Sequence, residues 1–180
     1  MPATPADAKG LMKAAIRDDN PVVFFEHKFL YRRAKGPVPE GDEIVPIGVA
    51  ATRREGSDAT LLTYGAMVTP SLEAADRLAK EGVEVEVIDL RTLMPFDKAA
   101  IFASLDKTNR VLVVHEDVKT LGLGAELSAV IMEEKFDTLD APVLRVTYPD
   151  THPPFSHVLE AYNLPNTDKI TDALRKLVAY

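Results

Sequence analysis

The sequence contains no cysteine, no tryptophan and only four histidines. The first absence excludes a disulfide framework, a thiolate nucleophile and a cysteine zinc site, and four histidines leave little for a soft metal. Long apolar runs are missing too: Val22-Val-Phe-Phe25 and Val111-Leu-Val-Val114 fall far short of the roughly 20 residues that span a bilayer. No charged-then-apolar leader precedes Pro2, so the expectation is a cytoplasmic protein without a membrane partner. Positive charge is in deficit, with 21 basic against 28 acidic residues and a net charge of −7. That balance repels a phosphate backbone, and the one concentrated basic patch is Tyr31-Arg32-Arg33 with Lys35, so nucleic acid is not an expected partner. An acidic surface suits a basic protein partner instead.

What is present is enough for one core: 180 residues, 46% hydrophobic. Thr4 as N-cap, Pro5 at the first helical position and Asp7 three residues after the cap predict a helix over 5–17 with Ala8, Leu11, Met12, Ala15 and Ile16 inward. Arg17-Asp-Asp-Asn-Pro21 stops it, and Val22–Glu26 reads as a buried strand. A helix and one strand cannot close a core, so their neighbours are expected elsewhere. Residues 31–56, rich in glycine, proline and alternating charge, read as a linker. From Ala59 the pattern becomes regular: strand ATLLTYG, a helix begun by Thr69-Pro70 and stopped at Gly82, strand VEVEVIDL, a helix over about 97–106, strand RVLVV, a helix over about 124–136, and strand APVLRVTY. An irregular stretch over 147–165 follows, then a helix from about Thr167 to the end. Strands alternating with helices in this way imply an α/β fold, a three-layer sandwich around a mainly parallel sheet of about five strands.

Candidate sites are few. In VLVVHEDVKTLGLGAEL, Gly122 and Gly124 follow a buried strand, but the third glycine of a dinucleotide fingerprint would fall at Leu127, so the glycines read as a sharp turn with close helix packing. His115-Glu116-Asp117 lies at the carboxyl end of a parallel strand, where open sheets place ligands; strict alternation would let only His115 and Asp117 act together, and the cluster reads as an edge or interface. His152 and His157 flank two prolines at a spacing that fits no zinc geometry and read as loop histidines, with Tyr148 and Phe155 as packing anchors beside them. No serine sits in a nucleophile elbow and no lysine in a phosphate loop, so no catalytic residue is assigned. Asp18 and Asn20, with the last carbonyls of the first helix, form an oxygen-rich corner that is either an ordinary polar helix end or a hard-cation site.

Several stretches together resemble one family. MPATPADAKGLMKAAIRDDNPVVFFEHK, EGSDATLLTYG, EVIDLRTLMPFD, VVHEDVKTLGLGAEL and DTHPPFSHVLEAYNLPNTDKITDALRK are similar, in order, to the beta subunit of the decarboxylating component of 2-oxoacid dehydrogenase complexes. The IDLRT-x-x-P-F-D signature at Ile88–Asp97 is the most specific, and the HE pair with the DALRK tail looks more like the branched-chain type than the pyruvate or acetoin type. The resemblance implies that residues 1–30 are a remnant of the thiamine pyrimidine-binding domain, 31–56 a linker, and 57–180 a transketolase C-terminal-like domain. It implies an oxidoreductase using thiamine diphosphate and magnesium in the assembled enzyme. The activating glutamate and the active-site histidine of the family match no residue here, and the diphosphate and magnesium sit on the alpha subunit, so this chain alone is expected to bind no cofactor and to be inactive. It also implies a potassium ion held by the Ala15 and Ile16 carbonyls, Asp18 and Asn20. Partners implied are the alpha subunit, a second beta chain and the peripheral subunit-binding domain of the lipoyl acyltransferase. His115, Glu116, Asp117, Gly122, Gly124 and Tyr180 are the residues expected at that partner interface. Two other readings stay open at this point: a stand-alone protein-interaction module without catalysis, and a free small-molecule-binding α/β domain.

Overall fold

A computed structural model describes residues 1–180. Helix α1 spans Pro5–Arg17, and its start follows the reciprocal pattern expected of a cap: the Thr4 hydroxyl accepts the Asp7 N–H at 3.1 Å and donates to the Asp7 carboxylate at 2.5 Å. Leu11 is buried, whereas Met12 and Ile16, expected inward, are exposed. The expected strand at Val22–Glu26 does not form; Val23 and Phe25 stand 77% and 60% exposed. An extended segment is a strand only when a neighbour takes up its backbone groups, and no other strand lies beside this one. A 3-10 turn at Lys28–Arg32 follows it.

The sheet begins earlier than the linker reading placed it. Strand β1 (Ala51–Arg54), inside the 31–56 stretch, pairs antiparallel with β3 (Val85–Asp89) at the sheet edge. Four residues flanked by charge carry too little periodicity to stand out in the sequence. Strands β2 (Ala59–Thr63), β4 (Val111–Val118) and β5 (Leu144–Tyr148) complete a five-stranded sheet in the order β1-β3-β2-β4-β5, parallel except for β1. Helices α2 (Val68–Ala79), α3 (Lys98–Thr108), α4 (Leu123–Lys135) and α6 (Thr167–Val178) form the outer layers. A short helix α5 (His157–Asn163) occupies part of the stretch that reads as irregular; it buries no residue, so it has no amphipathic pattern for a sequence to reveal.

The pleat sorts the core into two. Leu61, Val87, Leu112 and Val114 face Ala74, Ala75 and Leu78 of α2 and Ile170, Leu174 and Leu177 of α6. Their chain neighbours Leu62, Ile88, Val111 and Val113 face Ile101 and Leu105 of α3 and Leu127 and Ile131 of α4 on the other side. Strands buried on both faces are continuous apolar runs for this reason. Tyr148 anchors as expected, but Phe155 is fully exposed.

Two bulges break the strand pairing. Thr52 faces Ile88 while Arg54 faces Val87, which makes Arg53 an extra residue on β1. On β4, Val114 faces Val146 but Val118 faces Tyr148, so His115-Glu116-Asp117 bulges outward and strict alternation fails there.

Candidate functional site

The β4 bulge turns the His115 ring inward, under the first turn of α4. His115 is fully buried, and its Nε2 accepts the Gly124 N–H at 3.0 Å. That N–H is one of the first-turn donors a helix cannot satisfy internally, so the histidine caps α4 from the sheet. An accepting Nε2 places the ring proton on Nδ1, which finds no partner. Burial, only partly offset by the Asp117 charge, lowers the His115 pKa and keeps the ring neutral. The two glycines make this possible: a Cβ at Gly124 would lie 2.4 Å from His115 Nε2, and one at Gly122 would lie 2.2 Å from the Val118 carbonyl oxygen and 3.0 Å from the ring. Space that a nucleotide phosphate would need in a glycine cradle is filled by the imidazole.

Tyr64, just past β2, lies nearly parallel to that ring with centroids 6.2 Å apart. Burial first, then the Asp117 and Glu116 charges, push its hydroxyl up to about 12. Glu116 reaches back to the N-terminal segment, where His27 Nε2 lies 2.8 Å from its carboxylate. Of the six residues expected at a partner interface, His115, Gly122 and Gly124 are buried within the chain, Glu116 is half-buried, and Asp117 and Tyr180 are exposed. His152 and His157 are exposed as well.

The second cluster, at the end of β3, was not found from sequence. Arg53, released by the β1 bulge, donates to Asp89 at 2.8 Å and also to Asp7 of α1; Arg91 donates to the other Asp7 oxygen at 3.1 Å. Arg91 also donates to the Val49 and Ala50 carbonyls. Burial works against ionisation of Asp7, but the Thr4 hydroxyl and the two guanidiniums outweigh it and hold its pKa below the ordinary range. For Asp89 burial wins, and its pKa is raised despite Arg53. One guanidinium thus serves an ionised carboxylate and a second that ionises less readily. The cluster fastens α1 to the sheet edge. Asp89 and Arg91 both belong to the IDLRT signature, but partners dozens of residues apart leave no local trace in a sequence.

At the far end of α1, the Asp18 carboxylate accepts the Asn20 backbone N–H at 2.8 Å and its side-chain amide at 3.0 Å. These two bonds hold the exposed Asp18 below the usual carboxylate range. Ala15, Asp18 and Asn20 line one cavity of about 460 Å³, together with Pro21–Phe25 and the 91–95 loop; Ile16 is exposed outside it. The Ala15 and Ile16 carbonyls are among the last four of the helix, without intrahelical partners. All donors in this corner are oxygens, suited to a hard cation and not to zinc. No group of three metal-ligating acids or histidines exists elsewhere.

The third buried carboxylate, Glu86, is taken by Lys107. The buried acids are therefore all engaged by cations, which fits structural attachment better than proton transfer; the buried ring nitrogens left without a partner are Nδ1 of His115, in the core, and Nδ1 of His27, which lines a second cleft. No helix is long and apolar enough to cross a membrane.

Comparison with known proteins agrees with this fold. The chain is 48% identical over its whole length to the 2-oxoisovalerate dehydrogenase subunit beta of Bacillus subtilis (strain 168), of which it covers 55%, and 47% identical to the pyruvate dehydrogenase E1 component subunit beta of the same organism, again over all of this chain and 55% of that protein. It is 46% identical over 99% of its length to the acetoin:2,6-dichlorophenolindophenol oxidoreductase subunit beta, covering 52% of it. The chain spans about half the length of these relatives. Among solved structures, a split-gene transketolase described as an inactive beta4 tetramer superimposes with a TM-score of 0.77 at 26% identity, over 99% of this chain and 56% of the other. Residues 48–170 match the model of the transketolase C-terminal domain, and the chain belongs to that family.

Proposed function

We propose that the chain is the C-terminal part of the beta subunit of a thiamine diphosphate-dependent 2-oxoacid dehydrogenase, an oxidoreductase acting within a multienzyme complex. The overall reaction is oxidative decarboxylation of a branched-chain 2-oxoacid or pyruvate with acyl transfer to lipoyl. This part serves assembly with an alpha subunit and a second beta chain, and docks the peripheral subunit-binding domain of the lipoyl acyltransferase, with Asp117 and Tyr180 as exposed candidate contacts. Residues 1–30 belong to the pyrimidine-binding domain, and the transketolase C-terminal domain begins with the sheet. The observation that carries the reading is the alignment of the whole chain, at 47–48% identity, with beta subunits of two such enzymes, alongside a 46% match to that of an acetoin oxidoreductase.

The chain alone does not decarboxylate. Activating the aminopyrimidine of thiamine diphosphate needs a carboxylate free to share a proton with it, and the buried carboxylates Asp7, Glu86 and Asp89 are all committed to Arg53, Arg91 or Lys107. The split-gene relative, inactive as a beta4 assembly, supports the same view. The purified chain is mixed with thiamine diphosphate, magnesium, 2-oxoisovalerate or pyruvate and an artificial electron acceptor; no turnover is expected, and turnover overturns the reading. Co-expression with an alpha subunit from the same source tests assembly, with co-purification as the expected result.

A potassium ion fits the oxygen corner of Ala15, Ile16, Asp18 and Asn20, where it would neutralise the helix-terminal carbonyls and the Asp18 charge. Melting in potassium chloride against choline chloride at equal ionic strength reads this directly. Potassium is expected to raise Tm, and Asp18→Ala to abolish the difference; equal melting of the wild type in both salts removes the site.

A further inference from the structure

Many of the chain's cations already have acidic partners: Arg17 pairs with Asp42, Arg77 with Asp168, Lys135 with Asp106 and Arg175 with Glu81. Lys28, Arg32, Arg33 and Lys35 have none. All four are exposed and fall within residues 28–35, a stretch without an acid. Removing their four positive charges from the net of −7 leaves −11 on the rest of the chain, so this is a local reversal of sign and not a sample of the average surface.

The same turn exposes two aromatic rings, Phe29 at 51% and Tyr31 at 65%. Arg33 lies over the Phe29 ring, 3.9 Å from its centroid. Between this turn and the start of α1 runs a cleft of about 310 Å³ whose walls include Pro2, Pro5, Ala8, Leu30, Tyr31 and Ala34. The platform is held in place: Leu30 packs against the core, its carbonyl accepts the Arg33 and Ala34 N–H groups, and His27 meets Glu116. The result is a fixed slot with an apolar floor, Glu26 and His27 in its wall, and four cations without acidic partners on the turn that forms one side of it.

We propose that this slot is a docking surface for an acidic, amphipathic segment of a partner protein, which seats one apolar side chain in the cleft and sets its carboxylates against Lys28, Arg32, Arg33 and Lys35. Apolar anchors supply affinity at such interfaces while rim charges supply register and rate of association. A nucleic acid fits less well, because it has no aliphatic side chain to seat in the cleft between Pro2, Pro5, Ala8 and Leu30. The proposal stands on the charge and shape of this turn whether or not the assignment of acyltransferase docking above holds.

The test is fluorescence anisotropy with the full chain and three labelled probes: a short peptide of alternating glutamate and aspartate with one central leucine, the same peptide with serine for leucine, and a short thymidine oligonucleotide. The leucine peptide is expected to bind more tightly than the other two and to weaken as salt is raised. Arg32→Glu should weaken it by about tenfold or more, since it reverses a rim charge. Ala34→Trp, which fills the cleft, should weaken it comparably while Arg32→Glu melts as the wild type does. Absence of peptide binding, equal binding of the serine peptide, tighter binding of the oligonucleotide, or indifference to Arg32→Glu each overturns the proposal.

Discussion

Gly124→Ala is the sharpest perturbation of the His115 cap. On an ordinary helix the change gains about 1 kcal/mol from propensity. Here the new methyl carbon would sit 2.4 Å from His115 Nε2 and 2.9 Å from Cδ2, and the ring is walled in by the sheet and Tyr64. Moving the ring costs roughly 1–3 kcal/mol in overpacking, and losing the bond from the Gly124 N–H strands a buried donor at about 1–3 kcal/mol more. The net is a destabilisation of about 3 kcal/mol, or a fall in Tm of roughly 6–12 °C for a chain of this length. Thermal melting followed by circular dichroism reads it, with Gly41→Ala, which meets nothing within 4 Å, as the control. The cost should shrink in a His115→Ala background, because the two residues share one space. A Gly124→Ala protein that melts at or above the wild type, or that loses the same amount with His115 removed, refutes the account.

Gly56→Ala should be worse than Gly124→Ala, because its Cβ would meet the backbone of Val85 and Glu86 at 2.3 and 2.2 Å, where no side chain can give way; equal or milder loss in urea unfolding contradicts the packing at that edge. Arg53→Met should cost about 3 kcal/mol by leaving Asp7 and Asp89 short of their shared guanidinium, and adding Asp7→Asn should recover part of it, whereas additive losses would show the pair uncoupled. The lowered pKa of His115 sets a pH dependence. The folded state holds the proton less tightly than the unfolded chain, whose histidine titrates near 6.5, so the stability from the neutral ring is complete above that value and is lost as pH falls through it towards the folded pKa. Wild-type Tm should therefore drop more steeply than that of His115→Gln between pH 7.5 and 5; parallel curves would mean that the ring is not confined as a neutral acceptor.

Elements whose cause is local were legible. The Thr4-Pro5-Asp7 cap, the apolar strands buried on both faces and the 3.6-residue spacing of the last helix all announce themselves, because each depends on neighbours a few residues away. What failed depends on distant partners. Val22–Glu26 has strand composition, yet composition cannot supply the adjoining strand that its backbone needs. Strand β1 is the converse: ATRR has little to mark it, and pairing with β3 makes it a strand. The family resemblance pointed to the IDLRT segment but gave no reason for its aspartate, which became visible only when Arg53 and Asp7 came to it from the strand edge and the first helix.

The bulges carry the remaining step. Alternation along β4 assigns His115 and Asp117 to one face and suggests a shared task; inserting extra residues between Val114 and Val118 separates them, sending the imidazole under α4 and leaving Asp117 in solvent. On β1 the same device releases Arg53 towards Asp89 and Asp7. Both clusters reach to the first 30 residues, through Asp7 in one case and through the Glu116–His27 contact in the other. An N-terminal segment with one regular helix and an exposed apolar stretch would otherwise have little to hold it. Beside the apolar contacts of Leu11 and Leu30, its attachment is a set of ion pairs and hydrogen bonds, so breaking either cluster should loosen the segment before it unfolds the sheet.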